Sequence, residues 1–212
     1  MGIASVDVIT GAYPNYPDLN GGAHYYAFSP EMSNYQEAFA DIVLPDKVKL
    51  IPDTGGRTDY TRNGYISLGI HGNSAGIDLG IRKTTTTNWH PCYFDMKANL
   101  NDPDRKAGFY SYPDYEAPAD ATNAIIVAKP ISTTSVGLYV QFLNASGRDV
   151  GRPFYDEITV AAGNLTSSGE HVSCQFYRFA SLVQPNDIPD NKKDSTLFMA
   201  TFRNSCRVIG LR

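Results

Sequence analysis

Tyr65–Arg82 reads YISLGIHGNSAGIDLGIR. Ile66, Leu68 and Ile70 alternate with Tyr65, Ser67, Gly69 and His71. After the polar stretch from His71 to Gly76, Ile77, Leu79 and Ile81 alternate with Asp78, Gly80 and Arg82. A period of two sends one set to each face of a sheet, so the spacing predicts two strands joined by a tight loop. The apolar set faces a core. The other face carries a phenol, a hydroxyl, an imidazole, a carboxylate and a guanidinium, with glycines leaving space between them.

The same period recurs on both sides of this hairpin. His90–Lys97 reads as a strand with Cys92, Phe94 and Met96 inward and Tyr93, Asp95 and Lys97 outward. In 136–143, Val136, Leu138, Val140 and Phe142 face the core, and Gly137, Tyr139, Gln141 and Leu143 face away. In 171–177, Val172, Cys174 and Phe176 oppose His171, Ser173, Gln175 and Tyr177. Further strands are expected at 5–10, 24–28, 38–44, 122–129, 158–161, 196–202 and 207–211, with a short helix beginning at Ser29-Pro30-Glu31. No segment sustains a 3.6-residue apolar period. The expected fold is all-β, with two packed antiparallel sheets forming a β-sandwich of the jelly-roll kind and little helix. No linker or repeat divides the chain, so 1–212 is read as a single domain.

At 42% hydrophobic and 19% charged residues, the 212-residue chain is globular rather than disordered. Its formal net charge of −4, without a basic run, argues against nucleic acid and anionic membranes as partners. No apolar window is long enough for a membrane-spanning helix, so no membrane insertion is expected. The N-terminal MGIASVDVIT lacks the pattern of a signal peptide, although a trimmed mature end would look the same. The 14 Tyr suit half-buried sheet surfaces and binding faces, and they are also good strand formers. Cys92, Cys174 and Cys206 have neither CxxC nor zinc-finger spacing; Cys92 and Cys174 read as small buried hydrophobes.

The number and length of strands and the size of the chain resemble the concanavalin A-like lectin/glucanase sandwich. The segment FYRFASL at 176–182, followed by a loop and a last strand ending at 198–202, is similar to the way some such sandwiches finish. The resemblance implies a sheet face that holds a glycan or polysaccharide and, for a lectin-like member, a secreted or cell-surface location.

Pooling the outward positions gives a candidate ligand-binding face of Tyr65, His71, Asp78, Arg82, Tyr93, Asp95, Tyr139, Gln141, Gln175 and Tyr177. Trp89, at a loop-to-strand junction after Thr84–Thr87, is either a sugar platform or a core plug. Aromatic rings stack on the C–H faces of a pyranose while carboxylates, amides and guanidinium groups bond its hydroxyls; the alternative is an ordinary solvated sheet face. The loop Tyr110-Ser111-Tyr112-Pro113-Asp114-Tyr115 is a second, Tyr-rich contact surface. Asp102 and Asp104 are the candidate ligands of a structural calcium, without EF-hand spacing, and no other cofactor is expected.

Hydrolysis by paired glutamates, as the glucanases practise it, lacks an ExDxE or ExxxE pattern; an Asp78–Asp95 cross-strand pair is the remaining way to place two carboxylates together. A lyase needs a base with a cationic neutraliser, for which Tyr65, His71 and Arg82 are the right types. The leading expectation is a non-catalytic, lectin-like glycan-binding module. A polysaccharide lyase or glycoside hydrolase on the same face is the alternative, and a structural or assembly surface domain, compatible with a homo-oligomer, is the third.

Overall fold

The computed structural model describes residues 8–10, 21–28, 37–45, 47–49, 63–71, 76–103, 107–162, 165–168, 171–173, 175–184, 196–198 and 201–205, with side chains at 37–45, 63–70, 76–103, 107–162, 165, 176, 177 and 180. In chain order the strands are β1 (Val8–Thr10), β2 (Gly21–Phe28), β3 (Ala38–Val43), β4 (Lys47–Lys49), β5 (Asn63–His71), β6 (Gly76–Thr84) and β7 (His90–Asp95). Helix α1 (Met96–Asn101) follows, then β8 (Phe109–Ser111), β9 (Asn123–Ser132), β10 (Ser135–Leu143), β11 (Asp149–Thr159), β12 (Thr166–Ser168), β13 (His171–Ser173), β14 (Gln175–Gln184), β15 (Thr196–Phe198) and β16 (Thr201–Ser205).

A seven-stranded sheet runs β1-β2-β14-β5-β6-β7-β8 and a five-stranded sheet runs β11-β10-β9-β3-β16, with every pairing antiparallel. The all-β sandwich expected from the alternation is what forms. Ile66, Leu68 and Ile70 of β5 and Ile77, Leu79 and Ile81 of β6 are fully buried. They meet Ala38, Ala40 and Ile42 of β3, Ala124, Ile126 and Ala128 of β9, and Val136, Leu138, Val140 and Phe142 of β10 in one core. Burying a Leu or Ile side chain is worth about 1.5–3 kcal/mol. A one-residue slip of the β5–β6 hairpin would turn all six out of the core, so its register is strongly specified.

Three expectations about elements are corrected. The strand expected at 90–97 ends at Asp95, whose carboxylate accepts from the backbone N–H groups of Lys97 (2.9 Å) and Ala98 (3.0 Å) and so caps α1. The strand expected at 171–177 is two: β13 pairs with β12, and β14 crosses to lie between β2 and β5. Of the segment expected at 158–161, Ile158 and Thr159 are the end of the long edge strand β11, and Val160 and Ala161 follow it. The helix expected at 29–31, the last strand at 207–211, Cys174 and Cys206 lie outside the described residues.

Candidate functional site

Cross-strand register decides which predicted residues share a face. Asp78 of β6 lies opposite Gly69 of β5 and Phe94 of β7, and Gly69 lies opposite Tyr177 of β14. Arg82 lies opposite Tyr65 and His90, and Cys92 lies opposite Gly80 and Ser111. Tyr65, Asp78, Arg82 and Tyr177 therefore meet on the face of the seven-stranded sheet that points away from the core, as expected. Tyr65, Asp78, Arg82, Phe94, Phe109 and Ser111 keep partial exposure there. Ser67, His90, Cys92 and Tyr177 beside them are buried.

Glycine at position 69 is what lets Tyr177 reach Asp78. A Cβ on residue 69 would sit 1.8 Å from Cζ of the Tyr177 ring. The ring thus crosses β5 over a bare backbone, and its hydroxyl donates to Oδ1 of Asp78 on the next strand. Burial pushes the Asp78 carboxyl up to about 7, and the Tyr177 hydrogen bond pulls it partly back down. No described residue donates to its Oδ2.

Arg82 stands four residues along the same strand, on the same face. Its Nε donates to Oδ1 of Asn63 at 2.8 Å. Its guanidinium carbon is 4.9 Å from the centroid of Phe109 and 5.9 Å from that of Tyr65, and those two rings meet edge to face at 6.1 Å. Burial raises the Tyr65 phenol, opposed by the charge of Arg82, so Tyr65 is held neutral as a wall rather than poised as a base. Burial also raises the Cys92 thiol to about 12, which makes it an inert filler, and lowers the His90 imidazole.

Other predicted site residues lie elsewhere. Tyr93 and Asp95 face the opposite way from Asp78, because β7 runs in the other phase: Tyr93 opposes Leu79 and Asp95 opposes Ile77. Cys92 and Phe94, expected inward, are the pair on the Asp78 face. An Asp78–Asp95 carboxylate pair is thereby ruled out, and Asp95 instead joins the two sheets by also accepting from the N–H of Ala161 at 2.6 Å. Tyr139 and Gln141 belong to β10 of the other sheet. A platform of Tyr93, Tyr139 and Tyr177 does not exist, since the three lie on different sheets and faces.

Gln141 is buried at a β-bulge, its Nε2 donating to the carbonyls of Phe142 (2.8 Å) and Val150 (3.2 Å). Trp89 is the core plug rather than a platform, 3% exposed. Oδ2 of Asp102 closes a turn by accepting from the Ala107 N–H at 2.7 Å. Asp104 and the side chains of His71 and Gln175 lie outside the described residues; by register His71 stands opposite Gly76 and Gln175. Among the described residues no group of three or more His, Cys, Asp or Glu is placed to hold a metal ion.

Asn63 and Phe109 complete the surroundings of Arg82 and were not singled out from sequence. Asn63 is in phase with Tyr65, so reading the alternation two residues further back would have found it. Phe109 sits in a three-residue edge strand with no periodic signal.

No family model and no curated protein matches the chain. Among solved structures, it is similar to SCP-B, a member of the eqolisin family of peptidases, in a complex with a tripeptide (TM-score 0.39, 11% identity, covering 89% of this chain and 74% of that one). It is also similar to scytalido-glutamic peptidase with a peptide-based transition state analogue (0.38, 12%, 89% and 74%). A third similarity is to the alginate lyase vAL-1 from Chlorella virus (0.39, 11%, 87% and 91%).

Proposed function

We propose that the outward face of β5–β8 binds an acidic polysaccharide and cleaves it by β-elimination. The supporting observation is Asp78: a partly exposed residue whose carboxyl is raised to about 7, anchored through one oxygen by Tyr177, and on the same face of β6 as Arg82 four residues along. A base is most effective when its pKa lies near the working pH. Hydrolysis needs a second carboxylate, and β5–β8 supply none on this face. Elimination needs one base and a group that neutralises the substrate carboxylate.

In this reading Arg82, steadied by Asn63 and Phe109, binds the carboxylate of a uronate. Oδ2 of Asp78 takes the proton α to that carboxylate. The electron pair forms the C=C bond as the C–O bond at the β position breaks, and the carboxyl returns its proton to the leaving oxygen. Tyr177 positions Asp78. The concanavalin A-like assignment and a secreted or cell-surface location accompany this proposal.

The test is turnover on polymannuronate, polyguluronate, polygalacturonate and polyglucuronate, followed by the ultraviolet absorbance of the unsaturated uronate, with binding measured in parallel. Turnover that Asp78→Asn abolishes while binding persists is the expected result. Binding without turnover on every polymer would return the chain to the lectin-like reading, and neither binding nor turnover would favour an assembly module.

A further inference from the structure

We propose that the edge of the sandwich between β8 and β11 is a binding site for neutral sugars, built on Tyr110 and Asp156 and separate from the Asp78 face. Tyr110 is 55% exposed, yet its ring is not loose: it stacks on Tyr93 with centroids 4.8 Å apart and planes 23° from parallel. One face of the ring is covered by Tyr93 and the other is left for a ligand. Such a ring loses little conformational freedom on binding.

Asp156 of β11 lies next to this stack. Tyr112, whose ring centroid is 6.3 Å from that of Tyr93, donates its hydroxyl to Oδ2 of Asp156 at 2.5 Å. Tyr112 also packs on Phe154 at 4.6 Å. This contact ties the edge of one sheet to the edge of the other and fixes the carboxylate. No described residue donates to Oδ1 of Asp156. Burial raises the Tyr93 phenol to about 12, with Tyr110 and Asp156 pushing it further up, so Tyr93 remains a neutral hydrogen-bonding group.

A fixed aromatic face beside a carboxylate acceptor matches a hydroxyl-rich ring: C–H groups stack on Tyr110 and a hydroxyl donates to Asp156. The carboxylate repels a uronate. A neutral sugar supplies both a C–H face for the ring and a hydroxyl donor for the carboxylate. Tyr110 shares its register row with Tyr93, whereas Phe109 and Ser111 on either side belong to rows of the Asp78 face. The edge site is therefore independent of the elimination chemistry.

The experiment is calorimetric titration of the full chain with cello-, manno- and xylo-oligosaccharides. Saturable binding to at least one of them is expected, weakened about tenfold or more by Tyr110→Ala and largely kept by Tyr110→Phe, which preserves the ring. Asp156→Asn weakens binding as well. Asp78→Asn leaves neutral-sugar binding in place while stopping elimination, so the two readings fail separately. Absence of binding to all three series, or native binding by Tyr110→Ala, overturns the proposal.

Discussion

The Tyr177 ring lies across Gly69 and delivers its hydroxyl to Asp78 on the far strand. The pair therefore depends on a third residue having no side chain. A Cβ at 69 would overlap ring carbons that are enclosed and cannot swing aside, since Tyr177 is 2% exposed. Gly69→Ala is expected to destabilise the fold by about 1–3 kcal/mol, the cost of overpacking. The cost should shrink when Tyr177 is also made Ala. Urea denaturation of the four proteins of that double-mutant cycle reads the coupling; equal costs in both backgrounds would mean the ring is not what Gly69 accommodates.

Asp78 predicts two pH dependences of opposite sense. Its pKa is raised in the folded chain, from 3.8 to about 7, so between those values the native state holds a proton that the unfolded state has lost. Stability from this group is complete at low pH and declines as pH rises through that window, by on the order of 2 kcal/mol after allowance for solvent screening. His90 acts the other way: its lowered pKa costs stability as pH falls below its ordinary 6.5. The difference between native and Asp78→Asn stability curves isolates the carboxyl, and a difference that does not change with pH would contradict the assignment. Elimination needs the charged carboxylate, so kcat/KM should rise with pH and level off above about 7.

The β5–β6 hairpin was legible because each face has its own chemistry: Ile and Leu on one side, polar groups and glycine on the other. β7 was not, because Cys92 and Phe94 look inward by polarity while the outward face on which they stand also carries buried residues such as Ser67 and Tyr177. Where both faces of a strand carry buried side chains, alternation no longer says which one is the core. Alternation places Asp95 outward with Tyr93, yet an Asp directly before MKANLN is also a helix N-cap signal. Tyr139 and Tyr177 look alike in sequence because a period of two assigns a face within a strand but not the sheet to which the strand belongs. The Tyr177–Asp78 contact spans 99 positions of sequence and arises only because β14 inserts beside β5. No local pattern announces such a pairing.

Asp95 accepts from three backbone N–H groups, two in α1 and one at Ala161. Asp95→Ala removes a helix cap, worth about 1 kcal/mol, and leaves the Ala161 donor without its carboxylate, costing a further 1–3 kcal/mol or so. Asp95→Asn keeps an acceptor oxygen and should lose less. Thermal denaturation of the two variants gives the order, and equal losses would mean that charge rather than acceptor geometry is what Asp95 supplies. Because Asp95 faces away from Asp78, neither variant should change KM on the acidic polymers.

Arg82 separates recognition from proton transfer. Its guanidinium is oriented by Asn63 through Nε and lies over Phe109. Arg82→Lys retains one positive charge but loses the planar fork, which is what pairs two donors with a carboxylate. Asn63→Ala leaves the guanidinium in place and removes one of the groups that orients it. If Arg82 binds the substrate carboxylate before and during proton abstraction, Arg82→Lys should raise KM about tenfold or more, the effect of losing a charge-assisted hydrogen bond of ~1.5 kcal/mol or above. Asn63→Ala should raise it less. Neither variant should move the pH at which kcat levels off, since that belongs to Asp78 within the bound complex. Steady-state kinetics over a pH series on the polymer that is turned over decides it: an Arg82→Lys enzyme with native KM would remove Arg82 from substrate binding and leave it a structural partner of Asn63 and Phe109.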